Sequence, residues 1–187
     1  GLVLSDPKAY SYIKGVGYQW AGKNAIQRTV ASYPELRYMQ TENECGDGNN
    51  TWLYAKYVFN LYQHYFTNGV NAYIYWNMLL EPKGRSTWGW EQNSMITVDP
   101  ADASVTLNPE YYVMKHFAYA VAPGARREGL VGAWSGKAVA FRNPDESLVI
   151  VINNPYQDRR SLNLAYGEQT LSFELEPESF NTIIIKP

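Results

Sequence analysis

Residues 36–52 read LRYMQTENECGDGNNTW. The first seven are rich in β-forming residues and the remainder in Gly, Asn and acids. The stretch therefore reads as a strand over 36–42 that runs into a turn-rich loop. Two acids, Glu42 and Glu44, sit at the seam, which admits three readings: a catalytic carboxylate at a strand end, a metal loop, or a solvated turn. The metal reading fails on register. An EF-hand loop wants oxygen ligands at alternating positions, Gly sixth and Glu twelfth. Counted from Glu42, Cys45 and Gly46 break that alternation and the twelfth position is Leu53. A thiol nucleophile at Cys45 would need a histidine base, yet His64 and His116 fall in helical stretches. Neither metal nor cofactor is expected.

On both sides of this stretch the chain alternates strand-like and helix-like segments. Upstream, DPKAYSYI offers Asp6 as an N-cap with Pro7 at the first helical position. GVGYQW (15–20) reads as a strand and KNAIQRTVASYP as a helix stopped at Pro34. Downstream, residues 50–69 place Tyr54, Val58, Leu61 and Tyr65 on one apolar stripe, with Gly69 where the helix should end. VNAYIYWNM (70–78) is a third strand. A long loop follows, then NPEYYVMKHFAYAV (108–121) as a helix. Such alternation is the mark of βα units on a parallel sheet, and the weak polar alternation of the strands suggests that both sheet faces are covered. After APGARR the pattern changes to short strands broken by turns such as NPDES and NNPYQD, with no helical period. Residues 1–122 are thus expected as an α/β domain and 123–187 as an all-β domain.

The composition excludes several classes of function. With 45% apolar and 18% charged residues and a net charge of −2, the chain is globular and has no electrostatic reason to bind nucleic acid or an anionic membrane. No run approaches the roughly 20 apolar residues of a membrane span. Its single cysteine precludes an internal disulfide and leaves the compartment undetermined. The 16 Tyr, 6 Trp and 6 Phe are unusual for their clustering: Tyr73, Tyr75, Trp76, Trp88 and Trp90 fall within residues 71–90. An indole face suits the C–H face of a pyranose, and a neighbouring amide can donate to and accept from hydroxyls.

Three motifs together resemble family 30 glycoside hydrolases, the glucosylceramidase-like clan A enzymes. LRYMQTENEC resembles that family's seventh-strand motif, which presents the nucleophile. AYIYWNMLLEPKGRSTWGWEQNSMITVD resembles the eighth strand and its loop, and GVGYQW the sixth strand. VAPGARR resembles the exit into the sandwich. The resemblance implies the C-terminal part of a (β/α)8 TIM barrel, about three βα units, followed by a C-terminal β-sandwich domain. It further implies retaining glycosidase chemistry with Glu42 as nucleophile. Gln19, Trp20, Trp76, Asn77, Trp88 and Trp90 would bind substrate, a carbohydrate or glycolipid. Gln19 stands where much of the family has His, and it cannot change charge near neutral pH as His can. The family's acid/base lies at the end of the fourth strand, which would be supplied by an upstream segment, so this chain alone is expected to be inactive. A whole barrel needs eight βα units and about 250 residues; the expected partner is therefore the missing N-terminal half of the barrel, or a second copy. The alternative is a non-catalytic carbohydrate-binding or assembly module.

Overall fold

The computed structural model describes residues 2–187. The chain divides into two compact units, one up to Tyr111 and one from Tyr112 to Pro187.

The first unit opens with two short helices, α1 (Leu2–Ser5) and α2 (Pro7–Tyr12). Asp6 caps the second as its sequence predicts: one carboxylate oxygen accepts from the N–H groups of Lys8 and Ala9 at 2.8 and 3.1 Å. Three strands then build a parallel sheet in the order β1 (Gly15–Gln19), β2 (Arg37–Glu42), β3 (Ala72–Tyr73). The β1–β2 crossover is a 3-10 turn, Trp20–Ala25, continued by α3 (Ile26–Ser32). The β2–β3 crossover is α4 (Trp52–Thr67), opened by the Thr51 hydroxyl accepting from the Tyr54 N–H. Ile26, Leu61 and Tyr65 of the crossovers pack with Tyr18 and Tyr38 of the strands in one apolar cluster.

Only one face of this sheet is covered. Along β2, Tyr38 and Gln40 are buried whereas Met39 and Thr41 are exposed, and Gly17 and Gln19 continue the open face on β1. The expectation of two covered faces is thereby corrected. Met39 and Ile74 are apolar enough to hide the alternation in sequence, yet they remain 39% and 49% exposed. The third strand is also shorter than 70–78. Only Met39–Ala72 and Gln40–Tyr73 pair; the Ile74 N–H is shared between the Gln40 carbonyl and its side-chain oxygen, and the Trp76 N–H goes to the Asn43 side chain. Within the expected long loop lies a small sheet of β4 (Leu79–Leu80), β5 (Ile96–Val98) and β6 (Val105–Leu107).

Helix α5 (Pro109–Ala120) starts in the first unit and runs into the second. Its body goes with the strands that follow it: Phe117 meets Phe141 edge-on at 6.5 Å and His116 Nδ1 lies 2.8 Å from Thr182 Oγ1. The strands are β7 (Arg126–Glu128), β8 (Ala138–Arg142), β9 (Leu148–Asn154), β10 (Arg160–Tyr166), β11 (Gln169–Leu175) and β12 (Ser179–Ile185). They form a four-stranded sheet, β12-β9-β8-β7, and a β10-β11 hairpin. Every residue of β9 is buried. Ile150 and Ile152 pack on Leu162 and Leu175 of the hairpin, which supplies the covering layer that the run LVIVI demands.

Candidate active site

Glu42 is the last residue of β2, the middle strand, and lies half-buried at its C-terminal end. Its partner on β1 is Gln19, across a bulge that skips Thr41. A bulge twists a strand locally and re-aims the side chains beyond it. The carbonyl of Tyr18 at the irregularity is satisfied by the Thr41 hydroxyl, which donates to it at 3.0 Å.

After Gln19 the backbone turns through Trp20 at φ +47°. The left-handed region costs a bulky residue about 1–2 kcal/mol. The turn returns the indole to the strand end, where its Nε1–H donates to Glu42 Oε1 at 2.8 Å. Trp90 joins the same group, its ring 6.2 Å from that of Trp20 at an interplanar angle of 51°. The sequence therefore brings Glu42, Gln19, Trp20 and Trp90 together from three separate segments.

Trp76 is tied to this group through the residue that follows Glu42. Asn43 is buried; its Oδ1 accepts from the Trp76 N–H at 2.8 Å and its Nδ2 donates to the Glu44 carbonyl at 2.8 Å. The ring of Trp76 stays 42% exposed. Asn77 instead donates its amide to Gln92 Oε1 at 3.1 Å. Trp88 is 81% exposed in a turn closed by the Arg85–Glu91 bridge and by the Ser86 hydroxyl, which accepts from the N–H groups of Trp88 and Trp90 at 3.2 Å.

Glu44 does not share the role of Glu42. Its carboxylate is ion-paired with Lys23 Nζ, both side chains being about three-quarters buried. Burial alone would push the Glu44 carboxyl up, but the hydrogen bond and charge of Lys23 hold it below the usual carboxylate range. For Lys23 burial acts downward, and the partnership with Glu44 leaves its ammonium above the usual lysine value. The Tyr54 hydroxyl donates to the Glu44 carbonyl; burial, then the Glu44 charge, push that phenol well above an ordinary tyrosine. Tyr54 thus lines an open depression with Trp20, Glu44 and Asp47. The expected core stripe of α4 is broader than predicted, and Ala55, Phe59 and Tyr62 are more deeply buried in it than Tyr54.

The loop after Glu42 is held by Asn93, which is wholly buried. Its N–H donates to the Cys45 carbonyl at 2.7 Å. Its Oδ1 accepts from the N–H groups of Gly48 at 2.7 Å and Asp47 at 3.2 Å, and its Nδ2 donates to Glu110 Oε1 at 2.7 Å. Gly46 and Gly48 take φ of +75° and +80°, and a Cβ on Gly46 would collide with the Asn93 amide itself. Glu110 is also fully buried; burial raises its carboxyl, and the Asn93 hydrogen bond only partly offsets this. Lys23, Asn43 and Asn93 carry the site without having been marked by the sequence. The Gly46 and Gly48 pair is the one local sign that this loop closes on something.

Comparison with known proteins points to glycoside hydrolases. The profile of the glycosyl hydrolase family 30 beta sandwich domain matches residues 131–183. Lysosomal acid glucosylceramidase of Mus musculus is 26% identical over 175 residues, covering 82% of this chain and 33% of its own length. Putative glucosylceramidase 2 of Caenorhabditis elegans is 28% identical over 167 residues, covering 81% and 32%. The chain thus spans about a third of the length of the curated relatives it matches. Among solved structures, SrfJ from Salmonella typhimurium is similar with a TM-score of 0.85 at 23% identity, over 100% of this chain and 44% of that one. A GH30 endoxylanase from Clostridium papyrosolvens C71 is similar with a TM-score of 0.74 at 17% identity, over 99% and 52%. The sandwich profile, the glucosylceramidase relatives and the structural neighbours together support a C-terminal fragment of a family 30 glycoside hydrolase.

Proposed function

We propose that Glu42 is the nucleophile of a retaining β-glycosidase acting on a carbohydrate or glycolipid. The observation that carries this reading is the carboxylate of Glu42 at the C-terminal end of the central parallel strand, oriented by the Trp20 indole N–H at 2.8 Å. The C-terminal end of a parallel strand is where barrel enzymes place catalytic groups. In the proposed reaction a Glu42 oxygen attacks the anomeric carbon. The bond from that carbon to the leaving oxygen breaks as an acid protonates the oxygen, and water later hydrolyses the glycosyl ester with the acid acting as base. Retaining chemistry needs the second carboxyl about 5–5.5 Å away. Glu44 is committed to Lys23, and the family resemblance implies an acid/base on a strand supplied from upstream. Gln19, Trp20, Trp76 and Trp90 would seat the sugar, with Trp88 and Asn77 farther out.

A 2,4-dinitrophenyl 2-deoxy-2-fluoro glycoside of whichever sugar the complete enzyme accepts tests this reading. The fluorine slows both steps while the activated leaving group spares the first, so the glycosyl ester accumulates. The peptide carrying Glu42 is expected to gain the mass of one fluoroglycosyl group. A label on another carboxylate, or saturable sugar binding with no label, would favour a carbohydrate-binding module, a reading supported by the exposed Trp76 and Trp88.

The same proposal gives the open face of the parallel sheet a role. Met39, Thr41 and Ile74 would face the interior of a (β/α)8 barrel completed by strands from upstream or from a second chain. Taken alone, the chain is expected to sediment as a species larger than its 21.3 kDa, since an unpaired edge and a bare apolar face invite association. A clean monomer at every concentration would count against the barrel.

A further inference from the structure

We propose that Lys23 is a positioning residue for the candidate nucleophile: it ties Trp20 to the Glu44 loop and so keeps the indole N–H on Glu42. The inference rests on the reading of Glu42 given above.

Trp20 occupies a backbone region that a bulky residue keeps only when its surroundings over-determine it. Two tethers on one residue do this. Lys23 Nζ donates to the Trp20 carbonyl at 3.3 Å and also pairs with the Glu44 carboxylate. The Lys23 carbonyl lies 3.0 Å from His64 Nε2 on α4. The 3-10 turn from Trp20 to Ala25 is thus pinned by its side chain to the loop after β2 and by its backbone to the helix behind. Glu44 is in turn anchored by Tyr54, whose hydroxyl donates to its carbonyl. The result is a closed ring of contacts, Glu42–Trp20–Lys23–Glu44, that returns to its start through two residues of backbone.

The ring also carries an electrostatic task. Glu44 stands two residues from the nucleophile, and an unpaired carboxylate there would oppose the negative charge that Glu42 needs for attack. Lys23 neutralises it. The other titratable groups facing this pair include Tyr54, Tyr57, His64 and Tyr65 of α4 and Asp47 of the loop. Because the Glu44 pKa is lowered from 4.5, the pair persists above that value and is lost only as pH falls through the depressed one. Because the Lys23 pKa is raised from 10.5, the pair is lost on the alkaline side only as pH rises past the elevated one. It is intact across the neutral range, so a change in the acidic limb of a Lys23 variant reports lost neutralisation of Glu44.

The test compares Lys23→Met, Lys23→Arg and Glu44→Ala in the complete enzyme. Lys23→Met is expected to lower kcat about tenfold or more with KM changed less than about threefold, and to move the acidic limb of kcat/KM up by about half a pH unit or more. Glu44→Ala should lower kcat likewise but leave that limb in place or move it down, since no unpaired charge remains. Lys23→Arg should restore most of the activity. The Trp20 indole proton, assigned by NMR with Trp20→Phe, should move upfield in Lys23→Met and Glu44→Ala as its hydrogen bond weakens. Wild-type kcat with an unmoved indole resonance in Lys23→Met would overturn the proposal, as would identical pH profiles for Lys23→Met and Glu44→Ala. The indole resonance does not depend on turnover. If the fluoroglycosyl label misses Glu42 while the resonance still moves, the nucleophile assignment fails and the clamp on Trp20 stands.

Discussion

Replacing Glu42 with Ala in the complete enzyme is expected to lower kcat by about 10⁴-fold or more, the scale seen when a catalytic nucleophile is removed. The neighbouring Glu44 would not stand in for it, because its carboxylate is held by Lys23. Stability should change little. Glu42 is only half-buried, and the one bond lost is that from the Trp20 indole, itself 36% exposed. Glu42→Gln separates chemistry from shape, since an amide oxygen can still accept from that indole but attacks a sugar poorly. Azide gives the sharper readout. With the carboxylate gone from Glu42→Ala, azide can enter its place and attack the anomeric carbon from the same face, so a β-glycoside yields the α-glycosyl azide. A β-azide would instead mark Glu42 as the acid/base, and a loss of less than about tenfold would remove it from the chemistry altogether.

Asn93→Ala is expected to destabilise the first unit by about 3 kcal/mol or more, the cost of stranding several buried polar groups at once. The amides of Asp47 and Gly48 lose their acceptor and the buried Glu110 carboxyl loses its donor. For a chain of this size that is a fall of roughly 6–12 °C in melting temperature. Activity should fall further than the folded fraction, because the loop being released is the one that follows Glu42. Asn93→Asp adds a direction. It keeps the acceptor for the loop amides of Asp47, Gly48 and Asn50 but sets a carboxylate against Glu110, whose pKa burial already raises. That variant should therefore be least stable at neutral pH and recover as acid protonates the pair. Melting of Asn93→Ala within about 2 °C of wild type would show that the loop does not depend on this residue.

What the sequence discloses and what it hides follow a physical divide. Features written locally were legible: Asp6 before Pro7 caps a helix, the stripe on α4 is mostly buried, and the run through Glu42 is the middle strand. The sandwich strands were legible too, because NPDES and NNPYQD break the chain where their side chains bond locally, as Asp145 does to Ser147 and Asn154 to Tyr156. Contacts made only by the fold were silent. Lys23 meets Glu44 across 21 positions because a 3-10 turn, not a helix, leaves β1. Asn93 reaches Asp47 across 46 positions and looks in sequence like any polar loop residue. β3 is shorter than its composition implies because YIYW continues the β-forming residues, while the Ile74 N–H is shared between the Gln40 carbonyl and side chain and the Trp76 N–H turns to Asn43. The open face of the sheet is silent in sequence for a related reason: Met39 and Ile74 are apolar whether or not anything within this chain lies over them.

The grip of Asn43 on Trp76 has a practical consequence for redesign. The backbone of Trp76 beyond β3 and the backbone of Glu44 after β2 share one fastener, so their spacing cannot be varied without disturbing both. The hairpin from Arg85 to Glu91, by contrast, is closed by its own Ser86 and its own end-to-end bridge. It also carries Trp90 against Trp20, so only its tip at the exposed Trp88 offers a place where proposed glycan contacts can be varied while the candidate centre is left as it stands.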